Sequence, residues 1–120
     1  MKILIADDNE MNRSLMFALL QRSGHEVLEA ADGAQAVKLA KEHIPDLIIM
    51  DIQMPVLDGV TALRMLRADE SAKKIPVIAV TSYAMKGDRE KFLKAGFDSY
   101  ISKPINTKEV VMMIEQYIKK

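Results

Sequence analysis

Short apolar runs alternate with longer amphipathic segments along the chain, five times in all. Three continuous apolar runs, at residues 2–6, 47–50 and 76–80, are rich in Ile and Val. Such runs are typical of parallel strands that are covered by helices on both faces. Two more polar runs, at residues 26–30 and 98–102, are expected to be edge strands. The pattern therefore predicts five strands, three central and two at the edges.

Apolar stripes at helical spacing lie between these strands and predict the buried helix faces. The stripes consist of Met11, Leu15, Ala18 and Leu19; of Ala36, Val37 and Ala40; of Val60, Leu63 and Leu66; and of Val110, Met113, Ile114 and Tyr117. Gly24, Pro45 and Gly96 stand where helices are expected to end, and Asn106 where the last helix is expected to begin.

Strict alternation of strand and helix predicts one α/β domain over residues 1–120, with a doubly wound parallel sheet and helices on both faces. With the polar strands at the edges, the strand order becomes 2-1-3-4-5, the flavodoxin-like (βα)5 arrangement. Ligands of such sheets bind at the carboxyl ends of the strands, beside the switch point between strands one and three. The residues at those ends are therefore the candidates for function.

Five chemically related side chains stand at the predicted strand ends. Asp7 and Asp8 follow the first strand, Asp51 the third and Lys103 the fifth, while Thr81 ends the fourth. Three carboxylates so close together repel one another unless a cation neutralises them, and oxygen ligands alone favour Mg²⁺. The Thr81 hydroxyl and the Lys103 charge suit phosphate oxygens. Asp51 at the centre is thus a candidate nucleophile for phosphoryl transfer.

Each of these residues also has a purely structural interpretation. An Asp pair after a strand often caps a helix, and Asp8 or Asn9 is expected to do so here. Considered alone, Asp51 is typical of a turn, Thr81 of a buried hydroxyl with a hydrogen-bond partner, and Lys103 of a lysine whose charge lies in solvent. Their convergence at one edge of the predicted sheet favours the functional interpretation.

Composition and charge exclude several other classes. Lys and Arg together number 17, as do Asp and Glu, so no basic excess favours direct binding of nucleic acid. The absence of cysteine excludes disulfides and thiol catalysis. No apolar run approaches the roughly 20 residues of a membrane span, and no signal peptide is evident, so a cytoplasmic protein is expected.

The strand-end motifs resemble those of the receiver domain of bacterial two-component response regulators, over essentially the whole chain. The matching motifs are Asp7-Asp8-Asn9, Met50-Asp51-Ile52-Gln53-Met54-Pro55, Asp58-Gly59, Val80-Thr81-Ser82 and Ser102-Lys103-Pro104. Residues 84–88 and 100–105 are similar to DivK-type single-domain regulators. Residues 9, 12–13 and 53–55 are instead similar to receivers of hybrid histidine kinases. A first residue directly before strand one favours the stand-alone form.

The resemblance implies that Asp51 is the phosphoacceptor and that a histidine kinase or a histidine phosphotransfer protein is the donor. It also implies that Mg²⁺ is bound by Asp8, by Asp51 and by the backbone carbonyl of Gln53, with Asp7 acting through water. Such a chain would be a switch and not an enzyme, catalysing only its own phosphorylation and dephosphorylation.

By the same resemblance, Thr81 and Lys103 would hold the phosphoryl group, and the peptide bond after Lys103 would be cis. Tyr100 would rotate inward on activation. Gln53 and Tyr83 would flank the path of the hydrolytic water and so set the lifetime of the phosphorylated state.

Partner surfaces are implied as well. Met11, Asn12 and Leu15, with Pro104 and Ile105, would contact the kinase or phosphotransfer protein. A downstream protein would bind the face formed by the fourth helix, the fifth strand and the fifth helix. The resemblance is compatible with a monomer or a weak dimer.

Two other classes share part of this pattern. A magnesium-dependent phosphatase of the haloacid-dehalogenase type also uses an Asp nucleophile, but it needs a second Asp as general acid where this chain has Gln53. A flavodoxin-like cofactor protein needs a Ser-, Thr- or Gly-rich phosphate loop after the first strand. Asp7 and Asp8 would repel a phosphate there.

Overall fold

The computed structural model describes residues 1–82 and 88–118, in which five parallel strands alternate with five helices. The strands are β1 (Lys2–Ala6), β2 (Glu26–Ala30), β3 (Leu47–Asp51), β4 (Val77–Thr81) and β5 (Ser99–Ser102). The helices are α1 (Glu10–Arg22), α2 (Gly33–His43), α3 (Gly59–Arg67), α4 (Asp88–Ala95) and α5 (Thr107–Ile118). Within these ranges no helix combines the length and the apolar surface that a bilayer span requires.

The strand order is β2-β1-β3-β4-β5, which confirms the predicted topology. Alternate residues of each central strand face opposite layers of the core. Ile3 and Ile5 of β1 pack with α1 and α5, whereas Leu4 and Ala6 pack with α2 and α3. Burial on both faces explains why the central strands are continuous apolar runs while the edge strands are more polar.

The predicted helix boundaries are largely confirmed. Asn106 begins the last helix, because its Oδ1 accepts hydrogen bonds from the backbone N–H groups of the first turn, at 2.9 and 3.2 Å. Gly24 and Gly96 follow the ends of α1 and α4 with φ values of 89° and 115°, a conformation that favours glycine. The second helix ends at His43, shortly before Pro45.

The prediction for the buried face of α1 was wrong for three of its four residues, since only Leu19 of that stripe packs partly against the core. Met11 and Leu15 are 82% and 48% exposed, and Ala18 is exposed too. The residues that α1 buries are Met16 and Leu20. Because this helix is apolar over more than one face, its sequence is compatible with either face against the sheet.

The strand limits differ slightly from those predicted. Asp51 is the last residue of β3, one position beyond the predicted end, whereas Thr81 ends β4 as predicted. Strands β4 and β5 each begin one residue later than expected, at Val77 and Ser99. The Asp51 and Thr81 side chains are therefore attached to strands of the sheet and not to loops.

Candidate functional site at the carboxyl edge of the sheet

The three predicted carboxylates lie together at the carboxyl edge of the sheet. The β1–β3 register pairs Ala6 with Met50, so the next residues, Asp7 and Asp51, become neighbours. Asp7 is 4% exposed and Asp51 is 3% exposed, whereas Asp8 is exposed. One carboxylate oxygen from each lies within 4.8 Å of the others. The sequence prediction that these groups share one site is confirmed.

Both oxygens of Asp51 are engaged. Its Oδ2 accepts a hydrogen bond from Lys103 Nζ at 2.7 Å, and its Oδ1 accepts one from the backbone N–H of Gln53 at 3.1 Å. Lys103 is held in turn by its own N–H, which donates to the Thr81 carbonyl at 2.8 Å. An ammonium from the β5–α5 loop thus reaches across β4 to a buried carboxylate on β3.

The charges of the site shift the pKa values of its members. Burial raises the pKa of Asp7 to about 6; the nearby charge of Asp51 adds to this, although a hydrogen bond from the Asn9 N–H opposes it. Burial alone would lower the pKa of Lys103, but the bond to Asp51 and the charges of the aspartates outweigh it, and the net shift is upward. The site therefore favours a charged lysine and carries excess negative charge.

The β1–α1 turn presents the acidic pair. Asn9, not Asp8, caps α1, because its Oδ1 accepts a hydrogen bond from the N–H of Asn12 at 2.9 Å. The Asn9 N–H also donates to Asp7 Oδ1 at 2.8 Å. Arg13 Nη1 donates to the Asp7 carbonyl at 2.7 Å, a contact that sequence reasoning missed since nothing in the local pattern indicates it.

Gly59 allows the chain to pass closely behind Asp51. A Cβ at this position would lie 2.5 Å from the backbone oxygen of Asp51 and 2.8 Å from Cα of Ile52. The Gly59 N–H donates to the Ile52 carbonyl at 2.8 Å, directly after the cap of α3 at Asp58. The Asp58-Gly59 pair is one of the motifs that resemble receiver domains, and this contact explains why the second residue has to be glycine.

The β3–α3 loop contains a tight turn. Leu57 donates its N–H to the Pro55 carbonyl at 2.8 Å, and Val56 between them has a φ of 70°. A positive φ is unusual for a β-branched residue. Val56 is also 76% exposed.

The other predicted residues that the structure describes stand on or shortly after β3, β4 and β5. Thr81 is 1% exposed, at the end of β4. Tyr100 is half-buried, with its ring 6.3 Å from that of Phe92. The Lys103–Pro104 peptide bond is cis, in agreement with the prediction. The Gln53 side chain is exposed, and Tyr83 lies outside the described residues.

The predicted partner residues line two neighbouring segments, the beginning of α1 and the β5–α5 loop. Met11 and Leu15 are exposed on α1, where Asn12 is half-buried. In the loop, Pro104 is exposed and Ile105 is half-buried. Both segments adjoin the site along the chain, because α1 directly follows the acidic turn and the loop contains Lys103.

Comparison with known proteins gives one consistent result. A family model described as the response regulator receiver domain matches residues 3–115. The polar-differentiation response regulator DivK of Brucella ovis is 44% identical over 116 residues, which cover 97% of this chain and 94% of that protein.

Solved structures agree with this result. The receiver domain of a sensor histidine kinase from Pseudomonas aeruginosa PAO1 is similar with a TM-score of 0.90 and 39% identity, covering 99% of this chain and 98% of that one. That structure is described as having a magnesium ion coordinated in the active site cleft. Chemotaxis protein CheY4 of Vibrio cholerae is similar with a TM-score of 0.89 and 28% identity, covering 97% of each chain.

Proposed function

The chain belongs to the response regulator receiver domain family and has its phosphoryl-accepting signalling role, and on that premise we propose that Asp51 is the phosphoacceptor. The observation that carries this proposal is the position of the Asp51 carboxylate. It is buried at the end of a central strand, between Lys103 at 2.7 Å and the other two acidic residues. A nucleophilic carboxylate needs such a fixed position together with nearby charge neutralisation.

The donor set of the site fits Mg²⁺. Asp7, Asp8 and Asp51 offer only oxygen atoms, and these lie close enough together to share one ion. We propose that Asp8, Asp51 and the backbone carbonyl of Gln53 hold Mg²⁺ directly, while Asp7 acts through a water molecule. When bound, the ion supplies positive charge against the carboxylates and the incoming phosphoryl oxygens. The magnesium ion in the cleft of the similar Pseudomonas receiver supports the choice of Mg²⁺.

In the proposed transfer, an Asp51 oxygen attacks the phosphorus of a phosphohistidine on a histidine kinase or a histidine phosphotransfer protein. The new bond joins Asp51 to phosphorus, and the bond from phosphorus to the donor nitrogen breaks with its electron pair left on the imidazole. Lys103 then pairs with a phosphoryl oxygen in place of the carboxylate, and the Thr81 hydroxyl donates to another. Positioning and neutralisation suffice for this chemistry.

The added phosphoryl group carries nearly two negative charges and would draw Thr81 and Lys103 toward it. Tyr100, half-buried beside Phe92, would then rotate further inward and change the face formed by α4, β5 and α5. That face is proposed to bind the downstream protein. Gln53 and Tyr83 are proposed to set the lifetime of the phosphorylated state.

Met11, Asn12 and Leu15, with Pro104 and Ile105, are proposed to contact the phosphodonor protein. Their support is that Met11 and Leu15 are exposed apolar side chains on the helix that directly follows the acidic turn. We propose a cytoplasmic, monomeric or weakly dimeric switch that catalyses only its own phosphorylation and dephosphorylation. A phosphatase is not favoured, because the Gln53 amide cannot act as a general acid.

Labelling with acetyl phosphate tests the acceptor. In the presence of Mg²⁺, intact mass spectrometry should show one phosphoryl group on the wild-type chain and none on Asp51→Asn. Asp32→Asn is the matched control, because Asp32 caps α2 and Asn caps a helix about as well. That variant should be labelled like the wild type. Labelling of Asp51→Asn to the wild-type level would show that the acceptor is another residue.

A further inference from the structure

Arg13 connects helix α1 to the turn that carries the acidic pair. Its Nη1 donates to the main-chain carbonyl of Asp7 at 2.7 Å, and its Nε donates to Glu29 Oε1 on β2 at 3.3 Å. The Arg13 side chain is 19% exposed and that of Glu29 is 40% exposed. The guanidinium is therefore largely enclosed between α1, β2 and the turn, and its hydrogen bonds go to Glu29 and to the Asp7 main chain and not to the three carboxylates of the site.

The Asp7 carbonyl is a sensitive point of this turn. It belongs to the peptide group that joins Asp7 to Asp8, and because a peptide group is planar, fixing its oxygen also fixes the N–H and Cα of Asp8. The other polar groups of Asp7 are held as well. Its N–H donates to the Ala30 carbonyl at 3.0 Å, and its Oδ1 accepts from the Asn9 N–H at 2.8 Å. Arg13 provides the charged bond that holds the carbonyl of this peptide group, and with it the backbone position of Asp8.

A hydrogen bond from a charged donor is shorter and stronger than one between neutral groups. Arginine also keeps its charge at every working pH, and its planar fork reaches the carbonyl and Glu29 at the same time. Lysine could not make both contacts in the same geometry. Through these two contacts Arg13 connects the Asp7 carbonyl to β2 by a planar group of fixed geometry.

We propose that Arg13 is a positioning residue of the magnesium site, which orients Asp8 through the Asp7 carbonyl. This inference rests on the proposed function, since it assumes that Asp8 and Asp51 bind Mg²⁺. The proposal predicts in which direction the affinity for Mg²⁺ changes when Arg13 is replaced. A cation near a metal site opposes metal binding by repulsion, so a role of Arg13 as mere charge predicts tighter Mg²⁺ binding when that charge is removed. A positioning role predicts weaker binding.

The test is a Mg²⁺ titration of the full chain, with thermal unfolding followed by circular dichroism. Because native-state binding stabilises the chain by RT ln(1 + [Mg²⁺]/Kd), a fit of the whole titration gives Kd, the Mg²⁺ concentration at half-occupancy, which is called the Mg²⁺ midpoint below. Arg13→Gln should raise this midpoint by about tenfold, the usual effect of losing a group that supports metal ligands. At saturating Mg²⁺ the rate of labelling by acetyl phosphate should return to near the wild-type value. Arg13→Lys, which keeps the charge but loses the fork, should lie between the two.

Two controls separate this role from general stability. Arg22→Gln removes an exposed arginine from the same helix, and Glu29→Gln removes the charge of the Arg13 partner while keeping an acceptor oxygen. Both should leave the Mg²⁺ midpoint within about twofold of wild type. If Arg13→Gln lowers the metal-free melting temperature but leaves the midpoint unchanged or lower, the positioning role is overturned while the metal site stands. If the wild-type chain itself shows no Mg²⁺-dependent shift, the proposed magnesium site is overturned, and the inference with it.

Discussion

Replacing Asp7 by Asn should stabilise the metal-free protein at neutral pH. Asp7 is 4% exposed, and its ionised form faces the charge of Asp51. Asparagine keeps the Oδ1 atom that accepts the Asn9 N–H at 2.8 Å. The substitution therefore removes the buried charge while preserving the hydrogen bond that shapes the turn.

The magnitude follows from the pKa of Asp7, which burial and Asp51 raise from 3.8 to about 6. Below pH 3.8 the carboxyl is protonated in both the folded and the unfolded chain, so it contributes nothing. Between these two values folding takes up a proton, and the folded state loses stability as the pH rises. Above pH 6 the full penalty remains, about 1–3 kcal/mol, which corresponds to roughly 5–15 °C in melting temperature at this chain length.

The measurement compares wild type and Asp7→Asn by thermal unfolding in EDTA, at about pH 4 and about pH 7.5. Their difference is informative, whereas each curve alone also contains the titration of other carboxylates. The gain should be small at the lower pH, and Mg²⁺ should reduce it at the higher pH by stabilising the wild type. Asp8→Asn is the matched control, and because Asp8 is exposed its effect on metal-free stability should be smaller. A gain that is absent at neutral pH, or equal at both pH values, would refute the reasoning.

Three further substitutions test the surroundings of Asp51. Lys103→Met removes the ammonium that lies 2.7 Å from the buried carboxylate, so urea denaturation in EDTA should show a loss of about 2–4 kcal/mol. Most of this loss should be recovered in Mg²⁺; equal losses in both buffers would contradict the prediction. Gly59→Ala places a methyl group 2.5 Å from the Asp51 carbonyl oxygen and should cost about 1–3 kcal/mol. Its labelling by acetyl phosphate should also become slower, and an unchanged rate would refute the idea that Gly59 helps to keep Asp51 in position. Val56→Asn should stabilise the chain by about 0.5–1 kcal/mol in thermal melts, because Asn tolerates a positive φ better than Val; a loss of stability would contradict this.

The topology could be predicted from the sequence because burial of a parallel strand affects its composition directly. Residues 47–51 are buried on both faces and are continuously apolar up to Asp51, whereas β2 contains Glu26 and Glu29 and lies at an edge. Once the strand order is known, the acidic residues after β1 and at the end of β3 must meet. The acidic part of the candidate site was therefore predictable without any side-chain geometry.

The contacts of Arg13 and Gly59 were not predictable in this way. Each contact depends on how the chain folds back on itself. The Arg13 guanidinium reaches the Asp7 carbonyl, and the start of α3 at Gly59 passes close to the Asp51 backbone. An arginine on a helix and a glycine after an N-cap are common in proteins, and the neighbouring residues do not show whether either one makes such a contact. Both contacts form only when the sheet and its loops are assembled, so propensity and periodicity do not indicate them.

The error on α1 has a different cause, and it bears on partner binding. Periodicity reports that a face is apolar, but not whether the sheet or another molecule covers it. Met16 and Leu20 are covered by the sheet, while Met11 and Leu15, on the same helix, remain exposed. An apolar stripe that is predicted to be buried but is exposed in the structure is typical of a surface that becomes buried when a partner binds. The mistaken prediction of a buried stripe and the proposal of a partner surface at Met11 and Leu15 thus rest on one property of the sequence, its excess of apolar residues on α1.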